Sequence, residues 1–132
     1  GERAFSGCFS LKSVSISESM TEIGKYAFCG CSSLKNITIP EGVTKIGERA
    51  FYGCCSLKTV SISESVTKIE KEAFDDCGRL ERVVVLGDIE FGKILSPRCY
   101  NSLKIVIAPK KWSHTDEYPA LIPYYWISIP TT

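Results

Sequence analysis

Gly24 to Ile46, GKYAFCGCSSLKNITIPEGVTKI, is the stretch whose reading decides the fold, because the residues on either side repeat it. Gly1 to Ile23 reads GERAFSGCFSLKSVSISESMTEI and Gly47 to Ile69 reads GERAFYGCCSLKTVSISESVTKI. Each is 23 residues long, and these two flanking copies agree at 18 of 23 positions. A fixed period of this length signals a solenoid: one repeat cannot bury its apolar side chains alone, and stacked neighbours bury them in a continuous core.

Each repeat has three parts. The first is G-x-x-A-F-x-x-C, seen in Ala4, Phe5, Cys8, in Ala27, Phe28, Cys31, in Ala50, Phe51, Cys54 and in Ala73, Phe74, Cys77. Phe and Cys three apart share a face of a helical turn, so this part predicts a short helix or 3-10 turn with both side chains inward. The second part, L-K-x-V-x-I, alternates apolar with Ser or Thr: Leu11, Val14, Ile16, then Leu34, Ile37, Ile39, then Leu57, Val60, Ile62. Period two predicts a strand with one buried face. The third part is a turn at Ser17-Glu18-Ser19 or Pro40-Glu41-Gly42, followed by a second short extended piece such as Val43 to Ile46. Stacked in register about 4.8 Å apart, such strands form a parallel sheet with like residues in internal ladders.

A fourth repeat starts at Glu70 and runs to Phe91. A degenerate fifth spans residues 92–114, with Cys99 aligned to Cys31, Ile105 to Ile37 and Ile107 to Ile39, so strand centres are expected 23, 23, 23 and 22 residues apart. The expected organisation is a solenoid over 1–114, divided 1–23, 24–46, 47–69, 70–91 and 92–114, and a capping tail over 115–132. The tail, Tyr118 to Thr132, contains three prolines that exclude a regular helix. The first repeat has no polar cap before it, and solenoid ends need capping. The chain is therefore expected to be a C-terminal piece of a longer protein, and a monomer; pairing of two open N-terminal ends would be an artefact of truncation.

Composition agrees with a folded domain: 132 residues, 44% hydrophobic, 23% charged, net charge +1. Neither the net charge nor any basic run points to nucleic acid. No run of about 18 apolar residues could insert in a membrane. Five of seven cysteines, Cys8, Cys31, Cys54, Cys77 and Cys99, occupy one repeat position, which suits buried free thiols behaving as small hydrophobes. Cys29 and Cys55 break the period and are candidates for a cross-rung disulfide or a reactive thiol. A zinc site built from Cys29, Cys31, Cys54 and Cys55 lacks the CxxC pairs such sites use. His114, the one histidine, has no partner at catalytic spacing. No catalytic residue, metal or cofactor is expected.

The pattern IGxxAFxxCxxLxxVxIPxxVxxI closely resembles the BspA-like, or Treponema pallidum-type, leucine-rich repeats. Ile23-Gly24, Ala27-Phe28, Cys31, Leu34, Ile37, Ile39-Pro40, Val43 and Ile46 match it position by position. Repeats one to three depart from it at Ser17 and Ser63, where Pro is usual, and at Met20 in place of Val. The resemblance implies a leucine-rich-repeat solenoid, α/β or mainly β, with a parallel sheet of about five rungs and helical or 3-10 turns on the opposite side. It also implies a cell-surface or secreted, non-catalytic protein, chiefly bacterial, with adhesion or host-protein binding as the expected role. A spacer with no ligand of its own is the alternative.

The outward strand positions are the expected binding surface. Ser13, Ser15, Asn36, Thr38, Thr59 and Ser61 make a small, polar, flat face, which Arg82, Val84, Leu86 and Val106 continue and turn apolar. An exposed apolar patch usually meets a partner. Here the expected cover is the chain's own tail, through Tyr124, Tyr125 and Trp126. Lys12, Lys35 and Lys58 form one charge column and Glu18, Glu41 and Glu64 another; stacked like charges repel and are expected in solvent.

Overall fold

The computed structural model describes residues 2–87 and 89 and, as backbone, the strands Ile105–Pro109 and Tyr125–Ile129. Eight strands occur in these residues: β1 (Glu22–Ile23), β2 (Asn36–Ile39), β3 (Lys45–Ile46), β4 (Thr59–Ile62), β5 (Lys68–Ile69), β6 (Arg82–Val85), β7 (Ile105–Pro109) and β8 (Tyr125–Ile129). They form two open parallel sheets, a three-stranded one in the order β1-β3-β5 and a five-stranded one in the order β2-β4-β6-β7-β8. Each strand of the larger sheet from β2 to β6 alternates buried and outward residues, as its period-two sequence requires.

The register is in phase with the repeat. Asn36 pairs with Thr59 and Thr59 with Arg82; Ile46 pairs with Ile23 and with Ile69. Every residue therefore faces its own repeat counterpart. Phe5, Phe28, Phe51 and Phe74 stack with ring centroids 5.1–5.2 Å apart and planes within 5°. The core holds the columns expected from the repeat: Ala27, Ala50 and Ala73, Leu34, Leu57 and Leu80, Ile39, Ile62 and Val85, and the cysteines. Phe51 and Leu57 are fully buried, and burial of such side chains contributes roughly 1.5–3 kcal/mol each.

The A-F-x-x-C part is not helical among the described residues; it is a series of turns. The reason is its hydrogen bonding. Alternate N–H groups bend back to a carbonyl three residues earlier, as in Ala27 to Gly24, Cys29 to Tyr26 and Cys31 to Phe28. Those between them leave the rung altogether: Tyr26, Phe28 and Gly30 donate to the carbonyls of Glu48, Ala50 and Tyr52 in the following rung. A helix would direct every N–H along one axis and leave no lateral ladder. The alternation requires left-handed backbone at two points per repeat. Arg3, Tyr26, Arg49 and Glu72 adopt φ of 53–59° at the first. At the second, Gly30 (75°) and Gly53 (73°) adopt it without a Cβ clash, and Asp76 takes it at 58° in the fourth rung.

The cysteine column belongs to the same bonding scheme. Cys31, Cys54 and Cys77 are buried, and their thiols donate to the carbonyls of Phe5, Phe28 and Phe51 in the preceding rung at 3.2–3.3 Å. Cys29 is half-buried and Cys55 exposed, and both are free. Burial raises the Cys31 pKa and pushes Cys54 up to about 12.

Three expectations change. The first rung has no strand: Leu11 to Ser17 runs alongside β2 without joining its sheet, and Cys8, Leu11, Val14 and Ile16 are only partly buried. A rung flanked on one side has half the ladder partners of an inner one. The step from the fourth to the fifth repeat is 23 residues rather than 22, since Val83 pairs with Val106 and Val84 with Ile107. Val106 thus shares the register of buried Val83, while Ile105 and Ile107 share the outward columns of Arg82 and Val84. Finally, Tyr125 to Ile129 is a further parallel strand at the sheet edge, beside β7, and does not lie across the sheet face. The five strands of the sheet therefore come from repeats two to five and the tail.

Phe51→Ala, which opens a cavity between two stacked rings, is expected to cost about 3–5 kcal/mol in urea unfolding. Phe5→Ala, at a side chain 43% exposed, should cost well under half of that. Maleimide at neutral pH should label Cys55 in the folded protein at least tenfold faster than Cys31, Cys54 or Cys77, because burial shields these thiols and, at Cys31 and Cys54, also suppresses the thiolate. Folded Cys54 keeps a proton that an unfolded chain gives up from about pH 9.0. Its contribution to stability is complete below that pH and is lost as pH rises towards 12.

Candidate interaction surface

The outward face of the five-stranded sheet is built by the side chains that the period-two alternation turns away from the core. Asn36 and Thr38 on β2 are exposed, Thr59 and Ser61 on β4 are half-buried, and on β6 Arg82 is exposed and Val84 half-buried. The β4 pair is less exposed because a strand lies on either side of it. Two columns result, Asn36–Thr59–Arg82 and Thr38–Ser61–Val84, with Leu86, 43% exposed, at the end of the fourth rung. The face thus passes from amide and hydroxyl groups on β2 and β4 to a guanidinium beside Val84 and Leu86 on β6, the middle strand. The register extends these columns to Ile105 and Ile107 on β7 and to Tyr125 and Ile127 on β8.

Ser13 and Ser15 are exposed but lie in the strandless first rung, so they stand beside this sheet and not in it. Val106 stands in register with Val83 rather than with Arg82 or Val84. Of the expected surface residues, the structure therefore brings together Asn36, Thr38, Thr59, Ser61, Arg82 and Val84. Lys12, Lys35, Lys58, Glu18, Glu41 and Glu64 are all exposed, as their like-charge columns require. Among the described residues no group of three or more His, Cys, Asp or Glu side chains could hold a metal ion. His114 and Cys99 lie outside the described residues.

A second face, formed by the turns of the A-F-x-x-C segments, was not anticipated from the sequence. It carries a chain of polar contacts between rungs. The Arg3 guanidinium lies 4.4 Å over the Tyr26 ring, Arg49 Nη1 donates to Tyr26 Oη at 3.3 Å, and Arg49 Nε donates to Glu72 Oε2 at 2.6 Å. Lys25 pairs with Glu48 at 3.6 Å and Lys45 with Glu70 at 2.8 Å. Hydrogen bonding from Arg49 holds the Glu72 carboxyl below its usual range, and Lys45 does the same to Glu70. A hydrogen bond to Asp76 raises the Tyr52 hydroxyl. These pairs sit 23 to 25 residues apart, so pairing charges at the repeat period would have revealed most of them. They are solvent-facing, where a single ion pair contributes about 0–1 kcal/mol, and they act as fasteners between rungs.

A family model described as the BspA type leucine rich repeat region, in six copies, matches residues 1–118. A search among curated proteins finds no match. Among solved structures, a leucine rich cell surface protein from Faecalibacterium prausnitzii is 43% identical with a TM-score of 0.61, over 63% of this chain and 22% of that one. The leucine rich repeat protein of T. pallidum is 28% identical with a TM-score of 0.54, over 80% of this chain and 60% of that one. The chain thus spans less than two thirds of the length of either. Residues 1–118 account for most of the sequence, the register is that of the repeat, and the chain belongs to the BspA-type leucine-rich repeat family.

Proposed function

We propose that this chain is a non-catalytic protein-interaction module of a bacterial cell-surface or secreted protein, and that it binds through the outward face of the five-stranded sheet. The observation that carries the reading is the change along that face. Asn36, Thr38, Thr59 and Ser61 are small and polar, whereas on the middle strand Arg82, Val84 and Leu86 put a cation beside apolar surface. Interfaces concentrate energy in a few such residues and surround them with near-neutral contacts. A protein partner, in an adhesive or host-binding role, fits an extended rigid face of this kind. The cell-surface description of the Faecalibacterium prausnitzii relative supports the location. The spacer alternative predicts instead that outward strand positions accept any soluble residue.

Solid-phase binding to a panel of extracellular-matrix proteins separates the two. The wild-type chain is expected to bind one of them saturably. Val84→Asp should reduce that binding at least tenfold, and the Thr38→Arg/Ser61→Arg double variant should do so less, with circular dichroism unchanged in both. Binding by none of the folded forms, or binding unaffected by both variants, would reject the sheet face as the contact surface.

A further inference from the structure

Two columns of like charge border the outward sheet face, one on each side. Lys12, Lys35 and Lys58 stand just before the strand position of the first three rungs, and Glu18, Glu41 and Glu64 stand six residues later, past its end. All six are exposed, and among the described residues none of them forms an ion pair. The lysines are stacked directly, since the Lys35 N–H donates to the Lys12 carbonyl and the Lys58 N–H to the Lys35 carbonyl. Elsewhere on the stack opposite signs meet between rungs: Lys25 with Glu48, Lys45 with Glu70 and Arg49 with Glu72. Neutralisation within the chain is thus open to this fold, and the borders of the sheet face do not use it. Stacked like charges repel, and a partner that brings both signs relieves both columns.

The middle of the face is uncharged and small. Thr38 and Ser61 each lie three residues after the lysine and three before the glutamate of their rung, and Val84 continues their column. An axis along this column, parallel to the stacking direction, is therefore equidistant from the two signs, about 10 Å from each. Rotation by half a turn about it lays a second copy face to face, rung on rung. Each lysine then stands over the glutamate of the same rung in the other copy, and Thr38, Ser61 and Val84 meet their own counterparts. The face is self-complementary in this sense alone. A two-fold axis along the strands sets lysines on lysines and glutamates on glutamates, an arrangement that like-charge repulsion penalises.

We propose that the outward sheet face is a self-association surface, occupied by a second copy of this chain related by a two-fold axis along the Thr38–Ser61–Val84 column. This rests on the reading of that face as the contact surface and names its partner. Charge complementarity carries it. An isologous interface must oppose each patch with its own image, and a face divided into a basic and an acidic half across its midline meets that condition. A purely acidic or purely basic partner satisfies one column and is repelled by the other. The area sets the strength. Six rungs, the first and those of the five strands, about 4.8 Å apart and about 20 Å wide, offer about 600 Å² per copy. The total of about 1,200 Å² is at the lower limit of specific interfaces. The pair is therefore weak and forms where the chain is concentrated. Both stacks run in the same direction about this axis, which suits copies displayed side by side on one surface.

The test is sedimentation equilibrium of the whole chain under reducing conditions. The wild type is expected to form a dimer. Its dissociation constant should rise at least fivefold when salt is raised from about 0.1 M to about 1 M, which shortens the screening length from about 10 Å to about 3 Å. The triple variant Lys12→Glu/Lys35→Glu/Lys58→Glu should be a monomer, with circular dichroism unchanged because all three side chains are exposed. Adding Glu18→Lys/Glu41→Lys/Glu64→Lys returns the net charge to that of the wild type and should restore the dimer. Labelled with a fluorophore, this six-fold variant should pair with itself and not with the wild type, because the two-fold axis then sets lysine over lysine. A wild type that stays monomeric at millimolar concentration would overturn the proposal. So would a dimer that the triple variant leaves intact, or a folded six-fold variant that stays monomeric. Saturable binding of a matrix protein by a chain that never dimerises would reject the second copy as occupant and leave the proposed function of the face standing.

Discussion

The structure depends on one constraint: each residue must sit over its own counterpart in the next rung, at about 5 Å. The phenylalanine column shows what this demands, with four rings in near-parallel planes at 5.1–5.2 Å. A stack of that kind tolerates no drift in chain length between rungs, because a one-residue slip would turn buried side chains outward. The 23-residue step is therefore kept even between the fourth and fifth repeats, where the sequence is least regular. Loss of a central ring affects both its neighbours, whereas the outermost ring answers to one.

The same constraint shapes the backbone opposite the sheet. A rung held at this spacing can satisfy lateral N–H groups only if they point sideways, and a helix cannot do that. The chain compromises by alternating local turn bonds with forward cross-rung bonds, and left-handed residues at fixed repeat positions make the alternation fit. The cysteine is part of this arrangement. A small thiol fits the interior and gives the second lone pair of the phenylalanine carbonyl a donor. Serine at Ser63 plays a similar part where proline stands at Pro40, by reaching across to that residue's carbonyl.

Function is left to the positions that stacking does not govern. Inward columns vary little: Ile37, Val60 and Val83 are interchangeable in kind. Outward columns change character from rung to rung, from Asn36 to Arg82 and from Thr38 to Val84. The turn face varies differently, as pairs of opposite charge, and its cross-rung ion pairs secure the stack. This contrast between one varied, outward sheet face and one self-paired face is what the proposed binding role rests on.

The sequence by itself determined the period, the inward columns, the parallel sheet and the family, since each rests on spacing that survives inspection of one chain. Asn36, Thr38, Thr59, Ser61, Arg82 and Val84 were legible as outward residues for the same reason. Only the tertiary structure decided the rest. Turns replace the expected helices because Tyr26, Phe28 and Gly30 bond to a neighbouring rung, and a partner 22 residues away is invisible to local periodicity. Val106 pairs with Val83, and Ile105 and Ile107 pair with Arg82 and Val84, because alternation alone accepts either phase in an unbroken apolar run and the strand pairing selects one. Tyr125 to Ile129 became a strand because the free edge of β7 supplies the hydrogen bonds that an aromatic, β-branched segment needs, a partner no reading of the tail alone could provide.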